Sequence, residues 1–128
     1  MQKTFPTAAV IAVITLLVLL GYGGFRIFDS VTPGQYDNFA KCLGKKGAKF
    51  YGAYWCAHCK KQKERFGKSA KLIPYVECAR PGAPEQEPVC KEKNVTGYPT
   101  WIFEDGSRIE REMELQELSE KTGCQYKK

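Results

Sequence analysis

A chain of 128 residues, 43% hydrophobic and 27% charged, has room for one small hydrophobic core and excludes a multidomain assembly. No internal repeat or low-complexity tract interrupts it. The formal charge of +6 is unevenly spread: residues 41–71 hold ten Lys or Arg against Glu64 alone, and residues 104–120 hold seven acids against two arginines. Solvated helix faces would account for this pattern, and so would a positive field that stabilises a thiolate and favours an acidic partner or a lipid surface.

From Ala8 the chain runs 18 residues to Phe25 without a charge, near the lower limit of the roughly 17 to 25 residues that cross a bilayer as a helix. A buried helix of a globular protein would show a polar stripe, and none is present. Only Lys3 flanks the run on its N-terminal side, and no A-x-A pattern closes it. Residues 1–28 therefore read as an uncleaved membrane anchor, with cleavage near Gly21 or Gly23 as the alternative. Arg26 and the lysines from Lys41 onward favour keeping the C-terminal side inside. Six cysteines, however, are the usage of an oxidising compartment, and a signal-anchor exports the chain on its C-terminal side. The expectation is a single-pass membrane protein with residues 29–128 on the extracytoplasmic side, where nucleic acid is not an expected partner.

Residues 29–36 form a linker carrying a Pro33-Gly34 turn signal, and the domain proper is expected over 37–128. Residues 36–46 predict a helix with Phe39, Ala40 and Leu43 on one face, stopped by Gly47. Residues 49–53, short and aromatic, predict a buried strand. The stretch from 56 to about 69 lacks proline and is rich in Lys, Gln, Glu and Arg, which predicts a helix. Residues 73–78 read as a second strand and 79–88 as a proline-rich loop, with a helical turn over 89–94. Residues 100–104 and 108–111 predict a β-hairpin around Asp105-Gly106-Ser107. A last helix over 113–122 turns Leu115 and Leu118 inward and ends at Gly123.

The chemistry concentrates in Cys56-Ala57-His58-Cys59. Haem attachment requires histidine directly after the second cysteine, where Lys60 stands. Structural zinc would need Cys78, Cys90 or His58 as further ligands, and their spacing does not resemble the second half of a zinc ribbon. A structural disulfide is the bland alternative, yet it gains nothing from an electropositive helix start. A redox pair does gain, because unpaired N–H groups and the positive dipole end stabilise a sulfur anion there. In that reading Cys56 is the nucleophile, Cys59 resolves the mixed disulfide, and His58 places charge near the developing thiolate.

The tryptophan-led motif Trp55-Cys56-Ala57-His58-Cys59 after an aromatic strand, followed by Gly97-Tyr98-Pro99-Thr100, resembles the active-site motif and cis-proline loop of the thioredoxin superfamily. Residues 40–70, 74–78, 90–103 and 118–124 together resemble, more specifically, the thioredoxin-like domain fused to or accompanying bacterial homologues of vitamin K epoxide reductase. The resemblance covers residues 39–124 and implies a small thioredoxin-like α/β fold, a central mixed sheet flanked by helices, which the hydropathy pattern places behind an N-terminal transmembrane helix. It implies a protein thiol–disulfide oxidoreductase that gives its disulfide to exported cysteine-containing proteins and is reoxidised by a quinone-linked, vitamin K epoxide reductase-like membrane protein. It also implies a cis Pro99 facing the sulfurs, with Tyr98 offering backbone groups to an extended substrate and Trp55 as a further substrate contact. No cofactor and no metal is expected. Three features depart from the pattern. Ala57 stands where the family usually has proline, the domain follows a single membrane segment so that a reductase partner is expected on a separate chain, and Phe50 occupies the position of thioredoxin's buried aspartate. Lacking that proton acceptor, Cys59 would give up its proton less readily, which suits an oxidant better than a reductase.

The remaining four cysteines allow three pairings. The preferred one joins Cys78 to Cys90, closing the proline loop, and Cys42 to Cys124, tying the first helix to the end of the last. The alternative is that Cys78 and Cys90 form a second redox relay.

Overall fold

The computed structural model describes the backbone of residues 6–127 and the side chains outside residues 25–31; the short flank carrying Lys3 lies outside them. The chain divides into two units, Met1–Thr32 and Pro33–Lys128.

The first unit is one helix, α1 (Thr7–Val31). Its Thr7–Gly24 stretch has a mean hydropathy of 2.1 and is long and apolar enough to cross a membrane. Thr15 is accommodated because its hydroxyl donates back to the Ile11 carbonyl at 3.0 Å. Helical backbone continues through Asp29, Ser30 and Val31, where the sequence predicts a linker.

The second unit is a four-stranded mixed sheet with short helices. Its elements run α2 (Asp37–Lys45), β1 (Lys49–Gly52), α3 (Ala57–Glu64), a 3-10 turn (Gly67–Leu72), β2 (Tyr75–Glu77), α4 (Pro88–Glu92), β3 (Thr100–Ile102), β4 (Arg108–Ile109) and α5 (Leu115–Thr122). The strand order is β2-β1-β3-β4. Strand β1 pairs parallel with β2, Gly52 opposite Glu77, and antiparallel with β3, Phe50 opposite Trp101. Phe50, Tyr51 and Gly52 are all buried, as a central strand requires.

The core forms around the stacked rings of Phe50 and Trp101, whose centroids are 4.9 Å apart. Phe39, Phe66, Leu43 and Leu118 complete it. Burying each large apolar side chain contributes about 1.5–3 kcal/mol, and a stacked aromatic pair adds about 1 kcal/mol. The hairpin turns at Gly106, whose φ of 76° an L side chain would resist.

Within the second unit, two helices also differ from the sequence-based expectation. The helix expected over 56–69 stops at Glu64, because Gly67 takes a φ of 53° and the chain re-forms as a 3-10 turn. That turn delivers the fully buried Ser69 hydroxyl to the Tyr36 N–H at 3.0 Å, a bond that a continuous α-helix would not place. The last helix starts at Leu115 rather than Met113. Glu114, in an extended conformation, caps it reciprocally with Glu117, which frees Met113 to enter the core.

Candidate active site

Strand β1 runs into the cysteine motif through Ala53, and Cys56 becomes the N-cap of α3. Its backbone is extended, so its side chain turns back over the first turn of the helix. Its Sγ accepts a hydrogen bond from the Cys59 N–H at 3.1 Å. The sulfur thus occupies one of the unpaired donors that every helix start presents. Cys56 and Cys59 are free thiols, 7% and 2% exposed. Burial, reinforced by the hydrogen bond with Cys56, pushes the Cys59 thiol up to about 12.

Gly52 makes room for Cys59. A Cβ there would meet the Cys59 Sγ and the Tyr75 Cε2 each at 2.9 Å, closer than side-chain carbons approach. The Phe50 ring lies between Trp101 and Tyr75 and gives this part of the strand an apolar lining. Tyr75 is itself tied down, its hydroxyl donating to Glu77 Oε2 at 2.7 Å. The other Glu77 oxygen accepts from the backbone N–H groups of Tyr54 and Ala79 at 2.9 and 3.0 Å. Burial, followed by the Glu77 hydrogen bond, raises the Tyr75 phenol well above its ordinary value.

His58 sits in the first turn of α3, and its Nδ1 lies 2.7 Å from Glu112 Oε1. Arg65 Nη2 donates to the other Glu112 oxygen at 3.0 Å. These two partners, His58 first, hold the Glu112 carboxyl below its usual range. One turn further along α3, buried Gln62 grips the Met113 backbone from both sides.

The Tyr98–Pro99 bond is cis. The Tyr98 ring meets Trp55 edge to face, centroids 5.9 Å apart, which links the proline loop to the cysteine motif. Gln86 braces this loop by donating to the Tyr98 hydroxyl at 2.7 Å and to the Val95 carbonyl at 2.8 Å. Trp55 is 63% exposed and Tyr54 lies open beside it, so both are rim residues rather than core.

Disulfides join Cys42 to Cys124 and Cys78 to Cys90. The second is fully buried in a satellite cluster with Tyr51 and Val95, apart from the core cluster that holds Cys56 and Cys59. With Cys78 and Cys90 joined, neither offers a thiolate to zinc, and among the described residues no three His, Cys, Asp or Glu side chains converge as metal ligands.

Sequence reasoning missed Gly52, Gln62, Tyr75, Glu77 and Glu112. Gly52 had a legible signal, a glycine within a predicted strand marking close approach. The others act across separations that no local pattern reveals.

A family model described as Thioredoxin matches residues 31–122. The chain belongs to the thioredoxin family. The chain is 46% identical over 104 residues to "Thiol-disulfide oxidoreductase LTO1" of Arabidopsis thaliana, covering 77% of this chain and 27% of that protein. It is 35% identical over 127 residues to "Protein disulfide isomerase-like 2-2" of Oryza sativa subsp. japonica, covering 93% and 33%. It is 31% identical over 98 residues to "Probable protein disulfide-isomerase ER-60" of Schistosoma mansoni, covering 73% and 20%. The chain thus spans a third or less of the length of these relatives. Their names agree with the paired thiols in placing this thioredoxin domain among the thiol–disulfide oxidoreductases.

Proposed function

We propose that the chain is a membrane-anchored, extracytoplasmic oxidoreductase that donates the Cys56–Cys59 disulfide to exported cysteine-containing proteins. The observation that carries this reading is the Cys56 sulfur at the start of α3, held by the Cys59 N–H at 3.1 Å. Unpaired N–H groups at a helix start interact favourably with a reduced sulfur placed over them, and a disulfide whose reduced form is stabilised is the stronger oxidant.

In the forward reaction a substrate thiolate attacks the Cys56 sulfur. The Cys56–Cys59 bond breaks, and Cys59 leaves with the electron pair and takes up a proton. A second substrate thiolate then attacks the substrate sulfur of the mixed disulfide and displaces Cys56 as a thiolate. Two electrons have passed from substrate to the domain. A quinone-linked, vitamin K epoxide reductase-like membrane protein would remove them. Helix α1 supports retention at the membrane where such a partner resides, and the resemblance of the cysteine motifs supports the partner's class. Pro99, Tyr98 and Trp55 would form the substrate groove, with His58 tuning the thiolate.

The protein-disulfide-isomerase names of the rice and schistosome relatives favour a second reading, disulfide isomerisation. Two measurements separate the possibilities. Cys59→Ser should accumulate mixed disulfides through Cys56, whereas Cys56→Ser should not. No trapped species in either variant would turn the assignment to a non-catalytic binding module. Equilibration with glutathione then gives the direction. A potential near about −120 mV supports donation, about −180 mV supports isomerisation, and about −270 mV marks a reductase.

A further inference from the structure

We propose that Glu112 is a positioning residue that fixes the His58 ring on the first turn of α3, two residues after Cys56, and so raises the oxidising power of the Cys56–Cys59 pair. This rests on the exchanger reading above. The His58 side chain is 67% exposed, and without a partner its ring would sample several rotamers in solvent. Glu112, at 18%, is the anchored member of the pair.

The anchoring is built along one face of α3. His58, Gln62 and Arg65 stand at spacings of four and three residues, the period that aligns side chains on a helix. Each meets the segment between β4 and α5. His58 meets Glu112, Gln62 pairs with both backbone groups of Met113, and Arg65 meets Glu112 and Glu114. Gln62 and Met113 are buried, so the register of the segment against the helix is set by packing, and Glu112 is delivered to the imidazole as a consequence.

A carboxylate accepting from Nδ1–H settles which ring nitrogen carries that proton and leaves Nε2 as the other titrating position. The negative charge of Glu112 is shared with Arg65, which donates to its other oxygen at 3.0 Å. An imidazole fixed two residues after the N-cap sulfur adds to the polar groups at the helix start that interact with the reduced pair, and whatever stabilises the reduced form makes the disulfide a stronger oxidant.

The test is a double-mutant cycle read as the equilibrium constant with glutathione, measured on the full chain in detergent by acid quench and mass analysis. Glu112→Ala should weaken oxidising power about two- to fivefold, the size of an exposed ion pair, and Glu112→Gln, which keeps an acceptor for Nδ1–H, should retain part of the effect. In a His58→Ala background both substitutions should leave the constant unchanged. An unchanged constant with His58 in place overturns the proposal. So does an equal change without His58, because Glu112 would then act through the fold or directly on the sulfur. Arg65 keeps Glu114 in every variant, and Gln62 keeps Met113, so the segment stays docked. The glutathione equilibrium needs no protein substrate. Its failure therefore leaves the Cys59→Ser trapping result standing, and absence of trapped species leaves the cycle readable.

Discussion

Gln62 and Met113 hold each other by two hydrogen bonds across 51 residues of sequence, the Gln62 amide oxygen accepting from the Met113 N–H at 2.7 Å and its nitrogen donating to the Met113 carbonyl at 3.0 Å. The same oxygen accepts from the Trp101 indole at 3.3 Å. One fully buried amide thus joins the cysteine helix, the central sheet and the lead-in to α5.

Gln62→Ala would strand three buried polar groups, the N–H and C=O of Met113 and the indole N–H. At roughly 1–3 kcal/mol for each group left without a partner, the loss is about 3 kcal/mol or more. Urea unfolding of the full chain in detergent measures it. A loss below about 1 kcal/mol would show that the amide is not the joint described.

Gly52→Ala puts a methyl group into the space that the Cys59 sulfur and the Tyr75 ring already fill. Overpacking of this kind costs about 1–3 kcal/mol. Displacement of Cys59 should also slow closure of the Cys56–Cys59 disulfide by roughly tenfold or more. The melting temperature and the rate of closure under excess oxidised glutathione read the two effects. Unchanged closure would mean that the sulfur is free to move away.

Cys59 should resist alkylation far into the alkaline range. Burial is the first cause of its raised value, about 12, and burial persists when Cys56 is replaced. In Cys56→Ser, the reaction of Cys59 with iodoacetamide should have its pH midpoint above about 10, against about 8.5 for an unperturbed thiol. The same shift gives the sign for stability. With the folded value raised, the buried thiol contributes stability fully present below about pH 8.5 and lost as pH rises through the folded value. A midpoint near 8.5 would place Cys59 in contact with solvent.

The two disulfides should differ in worth. Cys42 and Cys124 are 82 residues apart, Cys78 and Cys90 only 12. Chain-entropy arguments assign about 4.5 kcal/mol to the longer closure and about 3 kcal/mol to the shorter. Replacing the first pair by alanine should therefore lower the unfolding free energy more than replacing the second. The reverse order would point to cavity or packing losses around buried Cys78 and Cys90 as the larger effect.

Much of the fold was readable from short-range patterns. Phe39, Ala40 and Leu43 recur at helical spacing and are buried in α2. Gly47, Gly106 and Gly123 mark chain reversals and take positive φ. Leu115 and Leu118 face inward in α5. These features depend on interactions among residues no more than about four positions apart, where propensity, periodicity and steric freedom act directly. The grouping of Cys56, His58 and Cys59 at a helix start is local in the same sense.

The rest depended on which faces packing brings together. Nothing near Glu112 in the sequence marks it as the partner of His58, 54 residues away. Nothing near Glu77 marks it as the acceptor for Tyr54 as well as Tyr75. The end of α3 at Glu64, where Gly67 takes a positive φ, is consolidated by the docking of Ser69 against Tyr36, a contact that the run of good helix formers does not reveal. Local sequence specified the elements and where the thiols stand, because backbone sterics and side-chain period act at short range. The surroundings of those thiols came only with the tertiary structure, because a burial-dependent proton affinity or a tethered imidazole exists only once distant segments exclude water together.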